Sequence, residues 1–189
     1  MLPLLSLLFL LACGRGPKIV QSDFAAFTDQ ISAFTSGVVA SNSTIKVRLA
    51  KNHPAAEVGK SLEEKPFRFI PSLEGSTTWE DERTVVFTPK QRLKNDQIYQ
   101  ATFLLGELLE VEADKREFNF SFQTLPQNYE LRLAGMEVFD PKDLSRVRLS
   151  GVVLTADYTD EEDIEKMLSA EQPGQTLRLS WQHRPGKNE

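Results

Sequence analysis

The chain has 189 residues, 40% hydrophobic and 26% charged, enough for one domain or two small ones and too apolar for wholesale disorder. Its formal net charge is −5 and it carries no basic block, which argues against nucleic-acid binding, a chemistry of clustered Lys and Arg. One cysteine and two histidines exclude an intrachain disulfide and a Cys-rich zinc site, and leave little for metal or triad catalysis.

The first element is a run of apolar residues from Leu2 to Ala12. It is too short to cross a bilayer, which takes about 20 apolar residues. Its length suits the apolar region of an export signal. No Lys or Arg precedes it, although such signals usually begin with positive charge. It ends in Leu10-Leu11-Ala12-Cys13, which resembles the lipobox of bacterial lipoproteins. The resemblance implies cleavage after Ala12 and a diacylglyceryl group on the Cys13 thiol. The chain's single cysteine stands where this chemistry would need one. A plain export signal with an incidental Cys13 is the alternative. Acyl chains contribute about 0.8 kcal/mol per buried CH₂, so two or three would hold the protein on a membrane durably. The expected location is therefore the cell envelope, lipid-anchored, either periplasmic or at the outer membrane and cell surface.

Residues 13–36 read as a lipid-anchored tether followed by a Phe-rich arm. Phe24, Phe27, Ile31 and Phe34 recur at near-helical spacing, which predicts a turn or two of amphipathic helix within 23–35. The other reading is an extended arm whose aromatics pack on the next domain. From Gly37 the period becomes two. Ile45, Val47 and Leu49 alternate with Lys46 and Arg48, and Phe118, Phe120 and Phe122 with Asn119, Ser121 and Gln123. Similar runs surround Phe67, Val85 and Tyr99, and turn formers such as Glu74-Gly75-Ser76 and Lys94-Asn95-Asp96 separate them. Alternation of this kind places one sheet face in a core and the other in water. Residues 37–125 are thus expected to form an immunoglobulin-like β-sandwich.

Leu125-Pro126-Gln127-Asn128 reads as a linker into a second β region, 126–189. Leu131 and Leu133 mark one strand, and Val147, Leu149, Val152 and Leu154 another. Asp160, Glu161 and Asp163 crowd the start of a short helix within 159–170, capped by Thr159 or Asp160, with Ile164, Met167 and Leu168 on one face. Pro173-Gly174 ends it, and Leu177, Leu179 and Trp181 alternate as a further strand. That is thin for a complete sandwich. The expectation is a partial second domain of a longer protein, with a complete small domain as the alternative.

Pro66-Phe67-Arg68-Phe69-Ile70-Pro71, Gly75, Trp79, Val85-Val86-Phe87-Thr88-Pro89, Leu93, Tyr99 and Phe118-Asn119-Phe120-Ser121-Phe122-Gln123-Thr124 form a string that resembles a bacterial Ig-like domain. The order of lipobox, Phe-rich arm, this domain, the string Leu149 to Asp157 and then Ile164 to Ala170 is similar to the N-terminus of Bacteroidetes-type alpha-2-macroglobulin-like lipoproteins. That resemblance implies tandem immunoglobulin-like and macroglobulin-like sandwiches at the base of a protease trap. It implies a non-catalytic stalk that touches membrane lipid through acylated Cys13 and meets proteases only through the rest of a longer chain. The family's Cys-x-Glu-Gln thioester is absent: Ser169-Ala170-Glu171-Gln172 has Ser where the motif needs Cys. The alternative function is a stand-alone surface lipoprotein that binds a glycan or protein through its Ig-like loops.

No enzyme, metal, cofactor or small-molecule substrate is expected. His53 and His183 each suit a loop or strand end, and Glu63-Glu64, Glu80-Asp81-Glu82 and 160–163 suit solvated turns or a helix start better than acid–base pairs. Residues 160–163 also lack the alternating ligands and Gly of a calcium loop. With 12 Phe against 3 Tyr and 2 Trp, the aromatics favour core packing over an exposed sugar-stacking surface.

Overall fold

A computed structural model describes residues 23–184. Over these residues the chain is all-β with one short α-helix. Eight strands build two facing sheets: β1 (Ile31–Phe34), β2 (Gly37–Val39), β3 (Ile45–Leu49), β4 (Phe67–Ile70), β5 (Gly75–Trp79), β6 (Thr84–Pro89), β7 (Ile98–Phe103) and β8 (Phe118–Thr124). One sheet has the order β1-β3-β6-β5 and the other β2-β8-β7-β4. Every pairing is antiparallel except β2 with β8. This is the immunoglobulin arrangement, with its first strand divided between the sheets. The division falls between Phe34 and Gly37, and Gly37 takes a φ of 73°, which a side chain would resist.

Alternation dictates which residues meet. The first sheet turns Ile45, Val47, Leu49, Val85 and Phe87 inward, and the second turns Tyr99, Ala101, Phe103, Phe118, Phe120 and Phe122 against them. Phe69 of β4 and Phe87 of β6 join the sheets with ring centroids 4.7 Å apart. Each buried Phe contributes about 1.5–3 kcal/mol relative to an exposed one, so the aromatic series dominates the core. Val86 and Thr84 on the outer face of the central strand β6 are buried as well, where the register sets them beside Lys46 and Arg48. These two long side chains pair with Glu80 and Asp81 and keep their charged ends at the surface. Gly75 has no room for a methyl: a Cβ there would lie 2.6 Å from Phe87 Cζ and closer still to the Thr88 carbonyl.

The Phe-rich arm is not an amphipathic helix. Its helical part is a single 3-10 turn, Phe24–Phe27, and Ile31–Phe34 is a sheet strand paired with β3. The apolar spacing served packing instead: Phe27 and Ile31 are buried, and Phe34 meets Phe118 edge-on at 5.0 Å. The sandwich therefore takes in residues ahead of position 37. A stretch this short makes a marginal helix on its own, and here the pairing of β1 with β3 prevails.

The second β region is built differently from the first. Two long strands, β9 (Tyr129–Asp140) and β10 (Asp143–Thr155), form an antiparallel hairpin. α1 (Glu161–Met167) follows, then a small hairpin of β11 (Ala170–Gln172) and β12 (Gln175–Leu177). Pro173-Gly174 is the turn of that hairpin, not the end of the helix. The strand expected to run through Leu179 and Trp181 stops at Leu177, and Trp181 stacks on His183 instead. Asp160 occupies the N-cap position of α1 but its side chain makes no capping bond, because it pairs with Arg92 of the sandwich.

Candidate functional site

Cys13 and Ala12, the residues expected to carry lipidation and cleavage, lie outside the described residues, as does the whole apolar run before them. The two histidines are far apart in role. His53 stacks on Trp79 at 5.1 Å, and its Nε2 is 2.8 Å from the Leu108 carbonyl oxygen. His183 Nε2 lies 2.9 Å from Glu165 Oε1. Among the described residues no group of three His, Cys, Asp or Glu side chains is placed to hold a metal ion. No described helix is long and apolar enough to cross a membrane.

A heavily bonded polar centre lies where the second β region leaves the sandwich. Asp157 follows β10 and is 1% exposed. Its Oδ2 accepts hydrogen bonds from the Ser41 backbone N–H at 2.8 Å and from Asn95 Nδ2 at 2.7 Å, and its Oδ1 from the Tyr158 N–H at 2.8 Å. Ser41 and Asn95 belong to one end of the sandwich, since the Leu93 N–H donates to the Ser41 carbonyl. A buried carboxylate needs such donors, because water no longer solvates it.

Gln127 grips the same residue from the linker. Its Oε1 accepts from the Asp157 N–H at 3.1 Å, while its Nε2 donates to the Asp157 carbonyl at 3.2 Å and to Thr159 Oγ1. The side-chain amide thus pairs with the backbone as a neighbouring strand would. Arg92 completes the joint: it pairs with Asp160 and lies 4.1 Å over the Tyr158 ring. The linker residues also bind the sandwich directly, with the Leu125 N–H on the Val39 carbonyl and the Asp96 N–H on the Leu125 carbonyl. The joint is thus held by side chains: Asp157 and Gln127 bond to backbone across it, and Arg92 pairs with Asp160.

Asp157 escaped the sequence reading because its partner Ser41 is 116 positions away. The local string Ala156-Asp157-Tyr158-Thr159 gives no sign of burial. Asn95 was legible only as a turn former, and Gln127 only as part of a linker.

At another edge of the sandwich, Ala26, Gln30, Glu107, Leu109, Glu110 and Arg116 help to line an open depression of about 970 Å³. Lys115 on its rim is already committed, with Nζ donating to the Ala26 carbonyl at 2.6 Å and lying 5.0 Å over the Phe27 ring. Gln30 Oε1 is buried beside it without a hydrogen-bond partner.

No family model and no curated protein matches the chain. Solved structures include distant neighbours. L,D-transpeptidase 3 from Mycobacterium tuberculosis, in complex with a faropenem-derived adduct, aligns with a TM-score of 0.36 and 13% identity over 52% of this chain. Another structure of L,D-transpeptidase 3 from the same organism, and one of an L,D-transpeptidase from its H37Rv strain, each align with a TM-score of 0.35 and 14% identity over 51% of this chain. The chain spans 37–40% of the length of these neighbours. Likeness this slight says nothing of activity.

Proposed function

We propose that the chain is the membrane-anchored, non-catalytic N-terminal stalk of an alpha-2-macroglobulin-like endopeptidase inhibitor, whose bait and thioester regions lie outside it. The observation that carries the proposal is the order of parts. An apolar run ending at Cys13 comes first, then an aromatic arm, an immunoglobulin-order sandwich, and a second β unit fastened to the sandwich around Asp157. A joint with several side-chain and backbone bonds suits a stalk, which must hold its load at a fixed attitude to the membrane. The reading places acylated Cys13 in the cell envelope and leaves any contact with a protease to a longer chain.

The alternative is a stand-alone surface lipoprotein that binds a glycan or protein through its Ig-like loops. The open depression beside Gln30 is the feature that favours it.

The test has two arms. Expressed in a bacterial host with a clickable fatty acid, the chain is expected to take up label and to lose it in Cys13→Ser. The isolated chain is expected to inhibit no endopeptidase. Uptake that is indifferent to Cys13→Ser would remove the anchor, and inhibition by this chain alone would overturn the division of labour.

A further inference from the structure

The β9–β10 hairpin separates its side chains by chemistry. From the register, Leu131, Leu133, Met136, Val138, Val147 and Leu149 share one face, whereas Glu130, Arg132, Glu137 and Arg148 share the other with Val152 and Leu154. A bulge preserves this division. Ser150 opposes Gly135 but Gly151 opposes Leu133, so β9 carries one residue more, and its apolar positions change from odd to even across the bulge. Without the bulge, Met136 and Val138 would fall among the charges. The charged face is solvated in the usual way, with Arg132 donating twice to Glu130 at 2.8 Å.

Among the described residues, the apolar face is covered only at its base, where Val153 and Thr155 are buried along with Ile164 of α1. Farther out it is bare: Leu133 is 61% exposed and Met136 73%. Side chains of this size, each about half exposed, leave on the order of 700 Å² of apolar surface, above the roughly 300–600 Å² of the largest patch on a typical monomer. A two-stranded sheet is also marginal alone and needs a covering layer.

We propose that this face is a docking surface for a second copy of the chain, the two hairpins packing face to face as a small β-sandwich. Area favours that occupant. Two such faces would bury on the order of 1,400 Å², within the range of about 1,200–2,000 Å² for stable specific interfaces. Charge permits it over the area counted, because Glu130, Arg132, Glu137 and Arg148 stand on the opposite face, and Asp140 and Asp143, which oppose each other at the hairpin's tip, lie beyond the six apolar positions. Symmetry closes it, since a self-complementary patch pairs by a two-fold axis and stops at two. The inference goes beyond the stalk reading. Molecules anchored in one membrane would meet at a high effective concentration.

The experiment is sedimentation of the chain from residue 13 onward, carrying Cys13→Ser, across micromolar concentrations. A discrete dimer is expected. Leu133→Lys and Leu149→Glu should each weaken it by about 30-fold or more, the effect of losing a central interface residue. Ser150→Lys, on the charged face, should leave it intact. Circular dichroism and the unfolding midpoint confirm that each variant is folded. The Cys13→Ser background also allows a second readout: Leu149→Cys should crosslink between copies faster than Ser150→Cys. A monomer at every concentration would overturn the proposal and leave the face to a different partner or to further strands of a longer chain. So would open-ended association, or a dimer indifferent to both face variants. None of these results bears on the fatty-acid or inhibition assays, so the two proposals fail separately.

Discussion

Asp157 ties together segments that are distant in the chain, so its removal should be felt well beyond its own turn. Asp157→Ala would leave the Ser41 N–H without its buried acceptor and the Asn95 amide with only the Leu125 carbonyl. The expected cost is about 1–3 kcal/mol, read as a lowered unfolding midpoint in denaturant. Amide exchange should quicken around Ser41 and Gln127 while the centre of the sandwich keeps its protection. An unchanged midpoint would mean that the joint is not held there. Asp81 makes a different kind of prediction. Its carboxylate accepts from the Arg83 and Thr84 N–H groups at 2.7 Å and from Arg48 Nη1 at 3.0 Å, and the Arg83 backbone bond above all holds its pKa below the ordinary 3.8. The charged form is therefore favoured by folding. Its contribution is present above pH 3.8 and fades as the pH falls through the lowered value. Asp81→Asn should be less stable than the parent at neutral pH, by a few degrees in midpoint, with the gap closing below that range. A gap that widened in acid would reverse the sign of this account.

Among the elements, β7 shows how one polar atom secures an apolar strand. Tyr99 is 2% exposed, its ring lies 5.4 Å from that of Phe122, and its hydroxyl accepts from the Lys94 N–H at 3.0 Å. This is the tyrosine corner of immunoglobulin-like sandwiches, in which the strand's first residues fix the preceding turn. Tyr99→Phe keeps the ring but strands that N–H, and should cost about 1–2 kcal/mol in equilibrium unfolding. No loss would show that the turn holds itself. Strands such as β3 and β8 were legible because their alternation is strict and their inward residues are large. The arm was misread as helical because Phe24, Phe27, Ile31 and Phe34 satisfy a helix's spacing while packing from a turn and a strand. The bulge in β9 was invisible for a related reason. A sequence can list Leu131, Leu133, Met136 and Val138, but only the cross-strand register tells that all four share a face.

For the whole molecule, composition and periodicity were enough to reach an all-β chain with one short helix, because a core made of alternating Phe announces itself locally. The joint was out of reach, because a carboxylate buried by distant backbone leaves no local pattern. The lipid anchor depends on Cys13, outside the described residues, and so does any claim about the envelope. The proposed stalk makes one demand that no fragment can meet: the native protein must continue past the second β unit into the machinery of a protease trap. The direct measurement is the size of the native protein, captured with an antibody against the sandwich and sized by intact mass. The account predicts one lipid-modified chain several times longer than 189 residues. A mature lipoprotein ending near Glu189 would contradict it and leave a small surface-binding protein in its place.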